Sequence, residues 1–216
     1  MRVATLPYKT RCEGQVVAEV EEQPTSKLFM LLLGGRPVGR NTEQHDVFFG
    51  IAADLPGLLP QLAAFWPGVQ LHIDAWRMVT SVDEFTVSVA QRTPMAAGAA
   101  AVAPVRRLFF INLGGYQASR FEEQHHYVLT AQQDKPSAIR HVKQTDFYRK
   151  NHMPGGASHV DDKYGIDVDD ILEIDELLPT QLKERYRVIL TAERPQPPDA
   201  IHLGYTKLSS LKSSLP

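Results

Sequence analysis

A single cysteine, Cys12, stands in 216 residues, so no internal disulfide can form and the fold rests on packing alone. No apolar run is longer than a strand, far short of the roughly twenty residues that a membrane-spanning helix needs. The N-terminus lacks the apolar core of a secretory signal, and the cytoplasm is the expected compartment. Charge of one sign is also lacking: 23 basic against 25 acidic side chains give a net charge of −2. That balance, without a basic stripe, argues against a phosphate-backbone binder, so no nucleic-acid partner and no membrane partner are expected. No Gly-Lys-Ser/Thr follows any glycine-rich turn, which excludes a Walker loop, and no dinucleotide fingerprint is present. The acidic stretch from Asp161 to Glu176 lacks the glycine and glutamate spacing of a calcium loop. Gly156-Ala157-Ser158-His159-Val160 lacks the closing glycine of a nucleophile elbow.

What the chain does have is a repeat. Lys27-Leu28-Phe29-Met30-Leu31-Leu32-Leu33-Gly34-Gly35 returns eighty residues later as Arg107-Leu108-Phe109-Phe110-Ile111-Asn112-Leu113-Gly114-Gly115. At the same offset Arg40 matches Arg120, and Glu43-Gln44-His45 matches Glu123-Gln124-His125. Buried strands look alike, which accounts for the apolar part. It does not account for Gly-Gly, Arg and Glu-Gln-His at one spacing, and a duplicated unit does.

The patterns predict a strand over Lys27–Leu33, buried on both faces as in a parallel sheet. Asn41-Thr42-Glu43-Gln44 reads as a variant capping box, opening a helix through Val47, Phe48, Ile51 and Ala52 that Pro56 interrupts and Pro67-Gly68 ends. Strands follow over Leu71–Trp76 and Phe85–Ala90. A second such helix is expected through His125, Val128 and Leu129, and a third strand over Tyr186–Thr191. The expected fold class is therefore α/β, or α+β with parallel βαβ pairs: two tandem β-α-β-β units forming a pseudo-symmetric mixed sheet with helices packed on it. The divisions are an arm over 1–26, unit one over 27–92, an Ala/Pro/Gly linker over 93–106, and unit two over 107–194. Unit two carries an insertion at about 173–185, and a C-terminal strand and tail fill 195–216.

Candidate ligand-binding residues lie at the two strand ends. Gly34, Gly35, Gly114 and Gly115 admit close backbone approach. Arg36, Arg40 and Arg120 carry the guanidinium fork that clamps an anion, next to expected helix N-terminal amides. Surface arginines on a tight turn are the bland alternative. Candidate catalytic residues are His45, His125, His72, Asp74, His159 and Asp161. Residues two apart on a strand share a face, so His72 with Asp74, and His159 with Asp161, form pairs in which a carboxylate orients an imidazole. On a helix, consecutive residues point about 100° apart, so Glu-Gln-His cannot all serve one site, and His45 and His125 fall on the buried stripe. A four-ligand metal site requires His45 to converge on His72 and Asp74, which spacing alone does not establish, so no metal or cofactor is assigned.

Gly34-Gly35-Arg36-Pro37, Glu43-Gln44-His45-Asp46-Val47-Phe48-Phe49-Gly50, His72-Ile73-Asp74-Ala75-Trp76-Arg77 and His159-Val160-Asp161-Asp162-Lys163-Tyr164-Gly165 make the chain resemble the bacterial family called domain of unknown function 1543. The resemblance spans most of 27–178 and implies one or two copies of the unit, without an activity to carry over. Two functions stand as expectations: binding of a small anionic ligand or acid/base catalysis at the Gly-Gly strand ends, or an interaction protein whose repeated polar residues are fold determinants. A homodimer is compatible with either. Gly39 and Asn41 leave room beside the first strand end, which favours unit one as the working copy.

Overall fold

The computed structural model describes residues 25–92, 106–116, 121–145, 166–192 and 196–212. Three antiparallel sheets make the fold. The first has the order β10-β3-β1-β2, with β1 at Lys27–Gly35, β2 at Gln44–Ala52, β3 at His72–Met78 and β10 at His202–Lys207. The second has the order β7-β6-β8, with β6 at Arg107–Tyr116, β7 at Glu123–Gln132 and β8 at Ile166–Glu173. A ribbon of β4 (Ser81–Val82), β5 (Phe85–Gln91) and β9 (Tyr186–Ala192) is the third.

This corrects the expected α/β class, and the correction starts at Gln44. That segment is a strand paired along its whole length with β1, from Gly35↔Gln44 to Lys27↔Ala52. Val47, Phe48, Phe49 and Ile51 satisfy a helical spacing, but they also form the near-continuous apolar run of a strand buried on both faces. The ambiguity resolves by β-propensity, since aromatic and β-branched residues fill the run. Val47, Phe49 and Ile51 pack into one core and Phe48 into another. The same error recurs at β7, which pairs with β6 from Tyr116↔Glu123 to Arg107↔Gln132. The expected capping box at Asn41-Thr42-Glu43-Gln44 is therefore not a helix start. Arg36–Glu43 is a hairpin loop.

A real helix does follow. A 3-10 turn at Pro56–Leu58 leads into α1 at Leu59–Phe65, which carries the chain from β2 to β3. Both strands run antiparallel to β1 and therefore parallel to each other, with β1 between them, so the unit is a split βαβ crossover. In the second sheet α2 at Lys135–Val142 follows β7, its first turn capped by Asp134, whose side chain accepts from Ser137 N at 2.7 Å. Pro136 stands in its first turn, where the N–H it lacks would have no helical partner.

Each sheet buries its outer face under its helix. Phe29, Leu31, Leu33, Phe48 and Ile73 meet Leu58 and Leu62 in the first, and Phe109, Ile111 and Leu113 meet Ala138 and Val142 in the second. The inner faces share a central core with the ribbon, where Leu28, Phe49 and Ile51 join Leu108, Phe110, Leu129 and Val87. Phe49 and Phe110 meet edge to face at 5.5 Å between centroids. Asp83, at φ +54° in the β4–β5 turn, accepts from Thr130 Oγ1 and Ala131 N, and so ties the ribbon to β7.

Candidate functional site

Register alone brings the polar residues together. Gly34 pairs with His45 on one side and with His72 on the other. Cross-strand partners share a face, so both imidazoles stand over Gly34 on the inner face. A β-bulge between Leu32 and Leu33 leaves Asp74 without a partner in β1, and its carboxylate joins the two histidines. Glu43, one residue ahead of β2, completes the group.

The geometry is tight. His45 Nε2 lies 3.3 Å from Glu43 Oε1 and 3.3 Å from Asp74 Oδ2. His72 Nε2 lies 3.2 Å from Glu43 Oε1 and 3.3 Å from Asp74 Oδ1. One ligand atom from each of the four residues falls within 4.8 Å of the other three. His72 is buried at 5% exposure, with the Tyr205 ring of β10 4.4 Å from its own. Asp74 Oδ2 is buried and has no hydrogen-bond partner. The repeated glycine has a steric cause: a Cβ at Gly34 would lie 2.3 Å from His72 Nε2 and 2.8 Å from Asp74 Oδ2.

The second sheet builds a related group from Glu123, His125 and Asp169. His125 Nδ1 lies 3.3 Å from Asp169 Oδ2, and its Nε2 is 3.8 Å from Glu123 Oε2. The bulge recurs between Asn112 and Leu113, and a Cβ at Gly114 would lie 2.1 Å from Asp169 Oδ2. Gly114 pairs with Asp167, so the register position of His72 is held by Asp167, and Asp169 takes that of Asp74. His159 and Asp161, matched to His72 and Asp74 in the sequence, lie outside the described residues, as does Arg120. Val168-Asp169-Asp170 belongs to β8, the strand equivalent to β3.

The sequence-predicted residues thus divide. His45, His72, Asp74 and Gly34 come together, and His125 and Gly114 meet in the second group. Gly35 packs its backbone against Val69 and Leu71 instead. Arg36 and Arg40 sit exposed on the β1–β2 loop, where Arg40 N donates to Pro37 O at 3.3 Å and no helix N-terminus is available to help hold an anion. Glu43, Glu123, Asp169 and Tyr205 escaped the sequence reading. The Glu-x-His spacing was a usable signal, because on a strand it puts both side chains on one face.

An antiparallel split βαβ sheet thus gathers two histidines and two carboxylates around the end of its central strand, a donor set that could hold a metal ion. Residues 40–89, which supply all four donors, match the family described as Domain of Unknown Function (DUF1543). Its fold is similar to the crystal structure of a protein Il1583 from Idiomarina loihiensis, with a TM-score of 0.58 and 22% identity over 85% of this chain and 97% of that one. No curated protein matches the chain. Among the described residues no helix is long and apolar enough to cross a membrane.

Proposed function

We propose that this chain is a divalent transition-metal-binding protein whose primary site is Glu43, His45, His72 and Asp74. Asp74 Oδ2 carries the argument. An ionised carboxylate is an acceptor only, and a buried acceptor without a well-formed hydrogen bond costs about 1–3 kcal/mol; His45 Nε2, 3.3 Å from Asp74 Oδ2, does not supply one. A cation at the centre of the four donors removes that cost. The spacing supports this: ligands at about 2.1 Å from one ion in a tetrahedron sit about 3.4 Å from each other. Four contacts among these donors run from 3.2 to 3.3 Å. Two imidazole nitrogens favour a zinc-like ion over calcium or magnesium, and the two carboxylates neutralise a divalent charge.

The small-anion and acid/base expectations fit within this reading. A bound ion attracts an anionic group directly and activates water for proton transfer or hydrolysis. The rival role, in which the polar residues serve the fold, is favoured by the burial of His72 but leaves Asp74 Oδ2 unexplained. Calorimetric titration of chelator-treated protein with Zn2+ tests the proposal. The expected isotherm shows a tight first equivalent with a Kd of about 1 μM or lower, worth about 8 kcal/mol. No saturation below about 1 mM, the range of weak nonspecific affinity, overturns it.

A further inference from the structure

The inner face that carries the cluster continues along the sheet. Leu32 pairs with Val47 and Ala75, and Met30 pairs with Phe49 and Arg77. These positions alternate in step with Gly34 and so share its face. Met30, Leu32, Val47, Ala75 and Arg77, with Ile201 ahead of β10 and His125–Tyr127 of β7, line a cavity of about 310 Å3. That is the lower end of the range for small-molecule pockets, about 300–1,000 Å3. The cavity adjoins the metal-type cluster, since its floor begins at Leu32, one alternation from Gly34.

Arg77 is the anomaly in this largely apolar lining. A guanidinium offers five donors and no acceptor, yet the hydrogen bond it makes here runs from Nη2 to the thioether of Met30, at 3.6 Å. Among the described residues no carboxylate lies within ion-pair distance of it. Asp199, whose charge it feels, already accepts from Thr80 N, Thr80 Oγ1 and Ser81 N. Partial burial pushes the Arg77 pKa down, the signature of a cation short of solvation. A part-buried cation beside apolar walls is costly unless an anion meets it.

We infer that the cavity binds a small organic carboxylate, with its carboxylate on Arg77 and its hydrocarbon body along Met30, Leu32, Val47 and Ala75. Arg77 and Asp74 are three residues apart on β3, about 10 Å at 3.3 Å per residue. A ligand of about six carbons therefore reaches from the guanidinium to the cluster. The carboxylate end stands independently of the metal proposal, and the placement of the far end rests on it.

NMR titration of the full chain with hexanoate, hexanamide and adipate tests both ends. In metal-free protein hexanoate should bind saturably and at least tenfold more tightly than hexanamide. Arg77→Met should abolish that preference, and Arg77→Lys, which keeps the charge without the fork, should retain part of it. Equal affinity for acid and amide, a preference that survives Arg77→Met, or no saturable hexanoate binding overturns the inference. In zinc-loaded protein adipate should gain affinity relative to hexanoate. Hexanoate binding intact without that gain overturns the placement of the far end, while failure of the metal proposal itself is read separately from the zinc isotherm.

Discussion

The two sheets place a glycine, a bulge, a histidine and carboxylates at matching register positions, yet among the described residues only the first leaves a buried carboxylate oxygen without a hydrogen bond. In the first, Leu32 precedes the bulge and offers no polar atom, so Asp74 Oδ2 has the imidazole of His45 3.3 Å away but no hydrogen bond. In the second, Asn112 holds that position. Its amide donates to Asp169 Oδ2 at 3.4 Å and Asp170 Oδ2 at 3.2 Å, while its Oδ1 lies 3.2 Å from His125 Nδ1. One leucine-to-asparagine difference lets the second group complete itself with protein atoms. On the proposed reading, a cation completes the first. A backbone scaffold does not make a site; what the neighbouring side chain supplies decides whether an ion is needed.

The comparison breaks most sharply at the glycines. Gly34→Ala drives a Cβ into buried His72, which has nowhere to go, and should remove zinc binding and cost about 1–3 kcal/mol by overpacking. At about 2–4 °C per kcal/mol for a chain of this size, thermal melts resolve the loss. Gly114→Ala meets the carboxylate of Asp169, whose side chain is 23% exposed and can turn outward, so its melt should shift less. Equal losses would show that the glycines serve the backbone and not the clusters.

Next in size is a transplant. Asn112→Leu with Asp167→His rebuilds the first donor set on the second sheet and should add a second tight zinc equivalent by calorimetry. An isotherm unchanged from wild type would mean that register and donors are not enough. Smaller again is Tyr205→Ala, which uncovers the His72 ring. Loss of a group orienting a ligand costs on the order of tenfold in metal affinity, with stoichiometry unchanged.

The smallest effect is electrostatic. Burial pushes the Asp46 carboxyl above its ordinary range although much of the residue is exposed, and the negative charge of Asp170 across the sheets adds to this. A raised carboxyl binds its proton more tightly in the folded chain, so the stability it contributes is present at acid pH and lost as pH rises through the folded-state value. Asp46→Asn should therefore melt slightly higher than wild type at pH 7, and the gap should close at pH 3. A gap that widens in acid contradicts the sign.

Much of this was legible in the sequence, and the largest failure was one of period. The eighty-residue echo located Gly34, His45, Gly114 and His125, and strand alternation put His72 and Asp74 on one face. Period was misread at Val47–Ala52 and His125–Leu129, where strands imitate helical stripes. That single error turned a hairpin into a helix. It hid Glu43 and Glu123 and supplied an anion-binding helix terminus where there is none. Matching His159-Val160-Asp161 to His72-Ile73-Asp74 followed letters, whereas the pairing with Gly114 selects Asp167-Val168-Asp169. Tyr205 carried no signal, because its role comes from a strand added at the far edge of β3.

Zinc isotherms of wild type, His72→Ala and His125→Ala, run side by side, test the central claim most directly. The account predicts that His72→Ala loses the tight equivalent and that His125→Ala keeps it. Retention in His72→Ala, or its loss in His125→Ala alone, contradicts the assignment of the metal to the first sheet.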